Sequence, residues 1–404
     1  MGVFTPTQRL HQTEFIALMA MLAATVAFSI DAMLPAMPEI GAELSPDALN
    51  NAQLVVTTFV LGMGLGTFVT GPLSDRFGRR PVMIGGACLY VAGCVVATLA
   101  QSIEVLLAAR LIQGLGGSGP RVVAVAMIRD QYKGPQMASI VSFVMLVFSL
   151  VPAMAPTIGH YIILGYGWRG IFVAFMVFSI LTCLWLIFRQ PETLCLENRR
   201  PLSPKALGHA IAEMFRHRTA RLSIFTQALT MAMLFTVLST TQQVFDLTFD
   251  QGGYFHLWFG GIAVLAASSS LINAHFVVRI GMRAIIRKVY AAQIAVSAIM
   301  ILMALFGATS PLYFGIYVLW VAANFFQAGL TIGNLNALAM EEMGHIAGLA
   351  ASVIAAVSTV GAVILAVPVA LAFDGTPLPM TIGALIWATL ALWLSTMIKR
   401  PGDA

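Results

Sequence analysis

GPLSDRFGRRP, residues 71–81, lies between two long apolar runs, approximately 51–73 and 82–100. Arg76, Arg79 and Arg80 crowd into five positions, and such a cluster is costly in hydrocarbon, so this segment turns in water. The runs on either side are each about 20 residues long, enough at about 1.5 Å per residue to cross a hydrocarbon core of about 30 Å. Lipid offers the backbone no hydrogen-bond partner, so each crossing must be helical.

The same alternation extends through the chain. Further apolar runs fall at approximately 14–37, 103–127, 137–160, 169–188, 221–244, 256–278, 285–306, 312–338, 347–371 and 376–397, which predicts twelve transmembrane helices. Composition agrees: 59% of the 404 residues are hydrophobic and 10% charged, against about 25% charged in soluble proteins. A soluble globular enzyme is therefore excluded. The start, MGVFTPTQRLHQTEF, leads into the first run with no small-residue cleavage site, so that run is expected to be retained as a span. Cys88, Cys94, Cys183 and Cys195 form no CxxC pair, and neither a disulfide framework nor a metal site is expected.

All but three of the 22 Lys and Arg fall on one side of the predicted bundle: Arg9, Arg76, Arg79, Arg80, Arg129, Lys133, the connector from Arg189 to Arg221, the stretch from Arg279 to Lys288, and Lys399 with Arg400. By the positive-inside rule this side and both termini are cytoplasmic. The opposite connectors carry mainly acids, among them Glu39, Glu43, Asp47, Glu104, Asp246, Asp250 and Asp374. The net charge of +5 is thus spent on topology, and no nucleic-acid role is assigned. The longest polar stretch divides the chain into an N-terminal six-helix bundle (1–188), a cytoplasmic connector (189–219) and a C-terminal six-helix bundle (220–404). A degenerate repeat accompanies the division: AHFVVRIGMRA at 274–284 follows the eighth run as GPLSDRFGRRP follows the second, with Gly281 opposite Gly78 and Arg283 opposite Arg80. Parallel repeats of this kind mark two-bundle transporters.

GPLSDRFGRRP resembles the loop signature of the major facilitator superfamily: a Gly, an Asp-Arg pair, then Gly followed by basic residues. The resemblance implies the major facilitator fold, an all-α integral membrane protein of two six-helix bundles. It also implies a conformational latch between the halves, made here by Gly71, Asp75, Arg76, Gly78, Arg79 and Arg80. LLAARLIQGLGGSG at 106–119 is similar to the superfamily's second signature, an Arg with Gln-Gly three residues later. An arginine inside a span needs a protein interior, so Arg110 is a functional candidate. Asp31 stands at similar depth in the first span, roughly 10 Å below the acidic face, and is its expected ion-pair partner. GLGGSG at 114–119 also satisfies a dinucleotide-binding pattern, but no strand precedes it. Small residues at this spacing bring membrane helices together.

SIDAMLPAMPEI at 29–40 resembles the first-helix acid and Leu-Pro of the bicyclomycin and chloramphenicol resistance subfamily of drug/proton antiporters. A carboxylate withdrawn from water resists ionisation while a nearby cation favours it, so alternation between burial and pairing can load and release a proton. VPAMAPTIGHY at 151–161 looks like a variant of the antiporter signature, with His160 where a second Gly is usual. PETL at 191–194, GWRGIF at 167–172 and NLNALAMEEMGHIAGLAAS at 334–352 are similar to segments of the same subfamily. Arg121 either snorkels to headgroups or attracts an anionic or polar substrate. With it, Gln113, Met154, Gln227, Thr236, Gln242, Asn324 and Gln327 form the expected substrate cavity, neutral polar groups beside a deformable Met.

These readings converge on a proton-coupled multidrug or small-molecule efflux antiporter working by alternating access, with Asp31 and Arg110 as the proton-coupling residues. It needs no cofactor, because the proton motive force supplies about 2.3 kcal/mol per charge per 100 mV. The expected partners are a small-molecule substrate, protons and the lipid bilayer, with one chain functional as a monomer in a bacterial inner membrane. A physiological metabolite exporter or a proton symporter on the same fold remains open. A membrane-embedded enzyme is the remote alternative, since His160, His256 and His275 lack catalytic or metal-binding spacing.

Overall fold

The computed structural model describes residues 6, 9–199 and 204–398. Arg200, Lys399 and Arg400, expected on the basic side, lie outside the described residues. The helices run α1 (Gln12–Asp31), α2 (Met37–Leu44), α3 (Leu54–Phe77), α4 (Arg79–Thr98), α5 (Ile103–Gln131), α6 (Gly134–Arg189), α7 (Pro204–Arg216), α8 (Arg218–Gln243), α9 (Phe255–Ile280), α10 (Met282–Phe306), α11 (Tyr313–Met340), α12 (Ala347–Leu371) and α13 (Leu378–Thr396). No strand occurs among the described residues.

By continuity, 11 helical stretches are long and apolar enough to cross a membrane. The longest, α6, has 56 residues, about 84 Å at about 1.5 Å per residue and far more than one crossing requires. Its backbone leaves the helical region at Gly167, where φ is 66°. Two spans therefore meet at that glycine, which restores the twelve crossings read from hydropathy.

The chain divides into two compact units, one of residues 1–45 and 58–206, the other of 46–57 and 207–404. In the first, α4 packs on α5 and α6, and α1 packs on α6 and α5. In the second, α8 is the central helix, packed against α11, α12 and α13, with 89% of its most apolar stretch buried. Residues 46–57 join the second unit through Asn50, which donates to the carbonyls of Leu371 and Phe373, and through Gln53, which donates to Gln243. The division near residue 206 falls inside the expected connector. Part of that connector is the helix α7, whose Leu207, Ile211 and Met214 pack against Ala339, Met343, Val353 and Ile354 of the second unit. In water each such buried side chain contributes about 1.5–3 kcal/mol, enough to hold a short helix in place.

The two units repeat each other in detail. Gly78 (φ 105°, ψ 158°) and Gly281 (φ 81°, ψ 152°) occupy the same left-handed turn between consecutive helices, a conformation that L side chains avoid. In the first unit the Ser29 hydroxyl lies 2.5 Å from the Tyr90 hydroxyl, and in the second Thr230 and Tyr290 are joined at the same distance.

Candidate functional site

Asp31 is the last residue of α1 and is buried, with 6% of its surface exposed. The sequence explains the break after it. Pro35 and Pro38 cannot continue an α-helix, and the chain passes through a 3₁₀ turn at Leu34–Ala36 before α2 begins. A helix C-terminus presents carbonyl oxygens, so it gives a carboxylate charge no support. No ion pair among the described residues includes Asp31. Gly159 of α6 packs on the backbone of Ala32, the residue that follows it. A Cβ at Gly159 would collide with the Ala32 carbonyl, so the glycine of VPAMAPTIGHY sets the closest approach of α6 to the acid.

Arg110 corrects one expectation. It is fully buried, but it does not pair directly with Asp31. Its Nη2 donates to the carbonyl of Ser29 at 3.0 Å and its Nη1 to Gln113 Oε1 at 2.8 Å, while its guanidinium stacks over the Phe59 ring at 4.3 Å. The cation binds instead the backbone that carries the acid. Gln113 also has a different place from the one expected. It is fully buried, accepts from Arg110 and donates to Cys94 Sγ at 3.0 Å, so it orients the arginine and does not line a cavity. Ser29 and Tyr90 extend the same network through their hydroxyls. The glycines of GLGGSG pack α5 between its neighbours: a Cβ at Gly114 would meet the Phe59 carbonyl and one at Gly116 the Gly86 carbonyl.

The loop 71–81 is a charge cluster within the first unit. Arg79 Nη1 contacts Asp75 Oδ1 at 2.5 Å and Ser74 Oγ at 2.7 Å, and its Nε contacts Asp130 Oδ2 at 3.1 Å. Glu192, from PETL, accepts the backbone N–H groups of Arg79 at 2.9 Å and Arg80 at 3.1 Å, placing a carboxylate on the N-terminus of α4. Arg80 reaches the Ile187 carbonyl at 2.5 Å, and Thr193 Oγ1 donates to Asp130. Arg76 is exposed and lies against the Phe77 ring. Gly71 is half-buried on α3, and Gly78 supplies the turn. At the opposite face, GWRGIF holds the end of α2: Trp168 Nε1 and Arg169 Nη1 both donate to Glu43, each at 2.7 Å.

In the second unit Gln227, Thr236, Gln242, Asn324 and Gln327 are buried on α8 and α11. Gln227 Oε1, Thr236 Oγ1, Gln242 Oε1, Asn324 Oδ1 and both amide atoms of Gln327 have no hydrogen-bond partner among the described residues. Buried amides are costly unless something bonds to them, so this group suits a polar ligand or ordered water. Met154 is exposed on α6, and Arg121 is half-buried on α5 with its Nη1 4.0 Å from Met63 Sδ.

Sequence reading missed four residues of these networks: Asp130, Glu192 as a helix-terminal acceptor, Tyr90 and Ser29. A signal existed for the first two, because three clustered arginines call for counter-charges and both acids stand among the basic-side segments. Nothing in the sequence marked the hydroxyl pair.

Comparison with known proteins covers the whole fold. The model of the Major Facilitator Superfamily matches residues 17–366. A bicyclomycin resistance protein homolog of Haemophilus influenzae is 28% identical over 382 residues, covering 92% of this chain and 93% of that one. The multidrug resistance protein MdtL of Escherichia coli is 30% identical over 231 residues, covering 56% and 57%. Among solved structures, a D-xylose-proton symporter superposes with a TM-score of 0.75 at 14% identity, covering 93% of this chain and 97% of that chain. At that identity the likeness concerns the fold alone.

Proposed function

Because the chain belongs to the major facilitator superfamily, we propose that it is a proton-coupled exporter of small molecules, drugs among them, in the inner membrane of a bacterium. The relatives named for bicyclomycin and multidrug resistance support export of drugs. The observation that carries proton coupling is the placement of Asp31: a buried acid at the broken end of α1, with no ion-pair partner among the described residues. A charge there is uncompensated, whereas a neutral carboxyl is not. Gaining and losing one proton at this site therefore changes the local balance of charge, which is the requirement of a coupling group.

In the cycle proposed here, substrate binding and protonation of Asp31 exclude each other. Arg110, oriented by Gln113, holds the Ser29 carbonyl and so fixes the end of α1 that presents the acid. The carrier alternates between states open to either side of the membrane, releasing substrate outside when Asp31 takes up a proton and releasing the proton inside when substrate returns. The loop 71–81, with Arg79 paired to Asp75 and Asp130 and its backbone capped by Glu192, acts as the latch that biases one state. The direction of coupling is tested in inverted membrane vesicles energised by respiration. A transported drug should dissipate the proton gradient when added, and loss of that response in Asp31→Asn is the expected control. A drug that moves without any pH response would refute proton coupling.

A further inference from the structure

Resting on the transport reading above, we infer that Arg121 is the recognition point for an anionic group on the cargo. The substrate class is then an organic acid or zwitterion whose carboxylate, phosphonate or enolate meets the guanidinium. Arg121 stands on α5 three turns beyond Arg110 and on the same helix face, about 16 Å further along the axis. The end of α5 at Gln131 is about ten residues on, or about 15 Å. The Arg121 side chain meets α3 instead of running along α5 toward the headgroups, with Nη1 4.0 Å from the sulfur of the buried Met63.

No ion pair among the described residues includes Arg121. Asp75 and Asp130 are engaged by Arg79, Glu14 by Arg189 and Glu43 by Arg169. Glu192 is held by the backbone at the start of α4, and Asp31 lies at the far end of α1. Among the described residues no carboxylate pairs with Arg121, and its nearest polar contact is the Met63 thioether. Arg110, by contrast, is fully enclosed by a carbonyl, an amide oxygen and an aromatic face. Two arginines on one helix face thus have opposite provision: one is built into the protein, and the other is half-buried with its charge uncompensated. A cation within a span calls for a partner, and no carboxylate among the described residues supplies one, so the anionic group of the cargo takes that role. Pro120, immediately before Arg121, removes one backbone donor from the helix at this level.

The test uses matched pairs of acid and uncharged derivative: benzoate with benzamide, salicylate with salicylamide, and the fluorescent quinolone norfloxacin with its ethyl ester. Thermal unfolding of the purified full-length protein in detergent is followed with each. At least one acid should raise the melting temperature by about 2–4 °C at saturation while its neutral partner does not. Arg121→Gln should abolish that difference and weaken binding of the acid about 10-fold to 100-fold, the loss of one charge-assisted bond, with Arg121→Lys intermediate. No preference for any acid in the wild type, an equal preference in Arg121→Gln, or stabilisation only by phosphatidylglycerol would each overturn the inference. The last result would assign the cation to a lipid headgroup. The outcome is separable from the transport reading. Drug export with a proton response, unchanged in Arg121→Gln and confined to neutral or cationic drugs, would refute the anion site alone. Acid binding without any proton movement would refute the coupling alone.

Discussion

Arg110 donates to the carbonyl of Ser29 at 3.0 Å, two residues before Asp31, so the buried cation of α5 fixes the backbone that presents the acid. Hydrogen bonds from a charged donor are each worth about 1.5–3 kcal/mol, and the planar fork of Arg110 makes those to Ser29 and Gln113. Arg110→Ala should abolish transport in proteoliposomes and lower the unfolding temperature. Arg110→Lys should retain part of both, because an ammonium keeps the charge but not the fork. Full transport by the alanine variant would show that the end of α1 holds its position without help.

The hydroxyl pair Ser29–Tyr90 and its counterpart Thr230–Tyr290 separate packing from coupling. Tyr90→Phe and Tyr290→Phe each remove one buried hydrogen bond, worth about 0.5–1.5 kcal/mol, and should destabilise the protein similarly in thermal unfolding. Only Tyr90→Phe should alter the pH dependence of transport, because α8 carries no acid near Thr230. Identical pH profiles for both variants would limit the Ser29 network to a structural role.

Glu192 accepts four backbone N–H groups, those of Arg79, Arg80, Thr193 and Leu194. Glu192→Ala should cost about 1–2 kcal/mol by removing an acceptor from a helix N-terminus. Gly78→Ala should cost a similar amount, since φ is 105° there and the added Cβ would meet the Glu192 carboxylate. Thermal unfolding in nanodiscs measures both. Unchanged stability in either variant would show that the loop 71–81 does not depend on this cap.

Gly159→Val places a side chain against the Ala32 carbonyl. Overpacking of this kind costs about 1–3 kcal/mol, and the strain falls on the residue next to Asp31. Transport should drop at least ten-fold even where chromatography shows a folded monomeric peak. Normal transport would mean that α6 can retreat without disturbing the acid.

The helical crossings were legible because lipid imposes one rule on every span, a helical apolar run of sufficient length. Residue types that are costly in hydrocarbon were legible for the same reason, which is why Asp31 and Arg110 stood out before any coordinates. Their mutual geometry was not. Equal depth along two helices leaves the rotation of each helix open, and Arg110 turns toward the Ser29 carbonyl and Gln113. Gln113 illustrates the same limit: a glutamine in a span reads equally as ligand contact or as support for a neighbour. Glu192 was quoted as part of a motif, but its bonds to Arg79 and Arg80 bridge more than 100 positions in the chain, and no local pattern carries them.

If Asp31 yields its proton when cargo binds, the purified protein must release protons on binding. A transported substrate is added to the detergent-solubilised protein in weakly buffered solution with a pH-indicator dye. The wild type should release up to about one proton per chain, and Asp31→Asn none even where that variant still binds the substrate. Equal release from both proteins would assign the proton to another group and contradict the account.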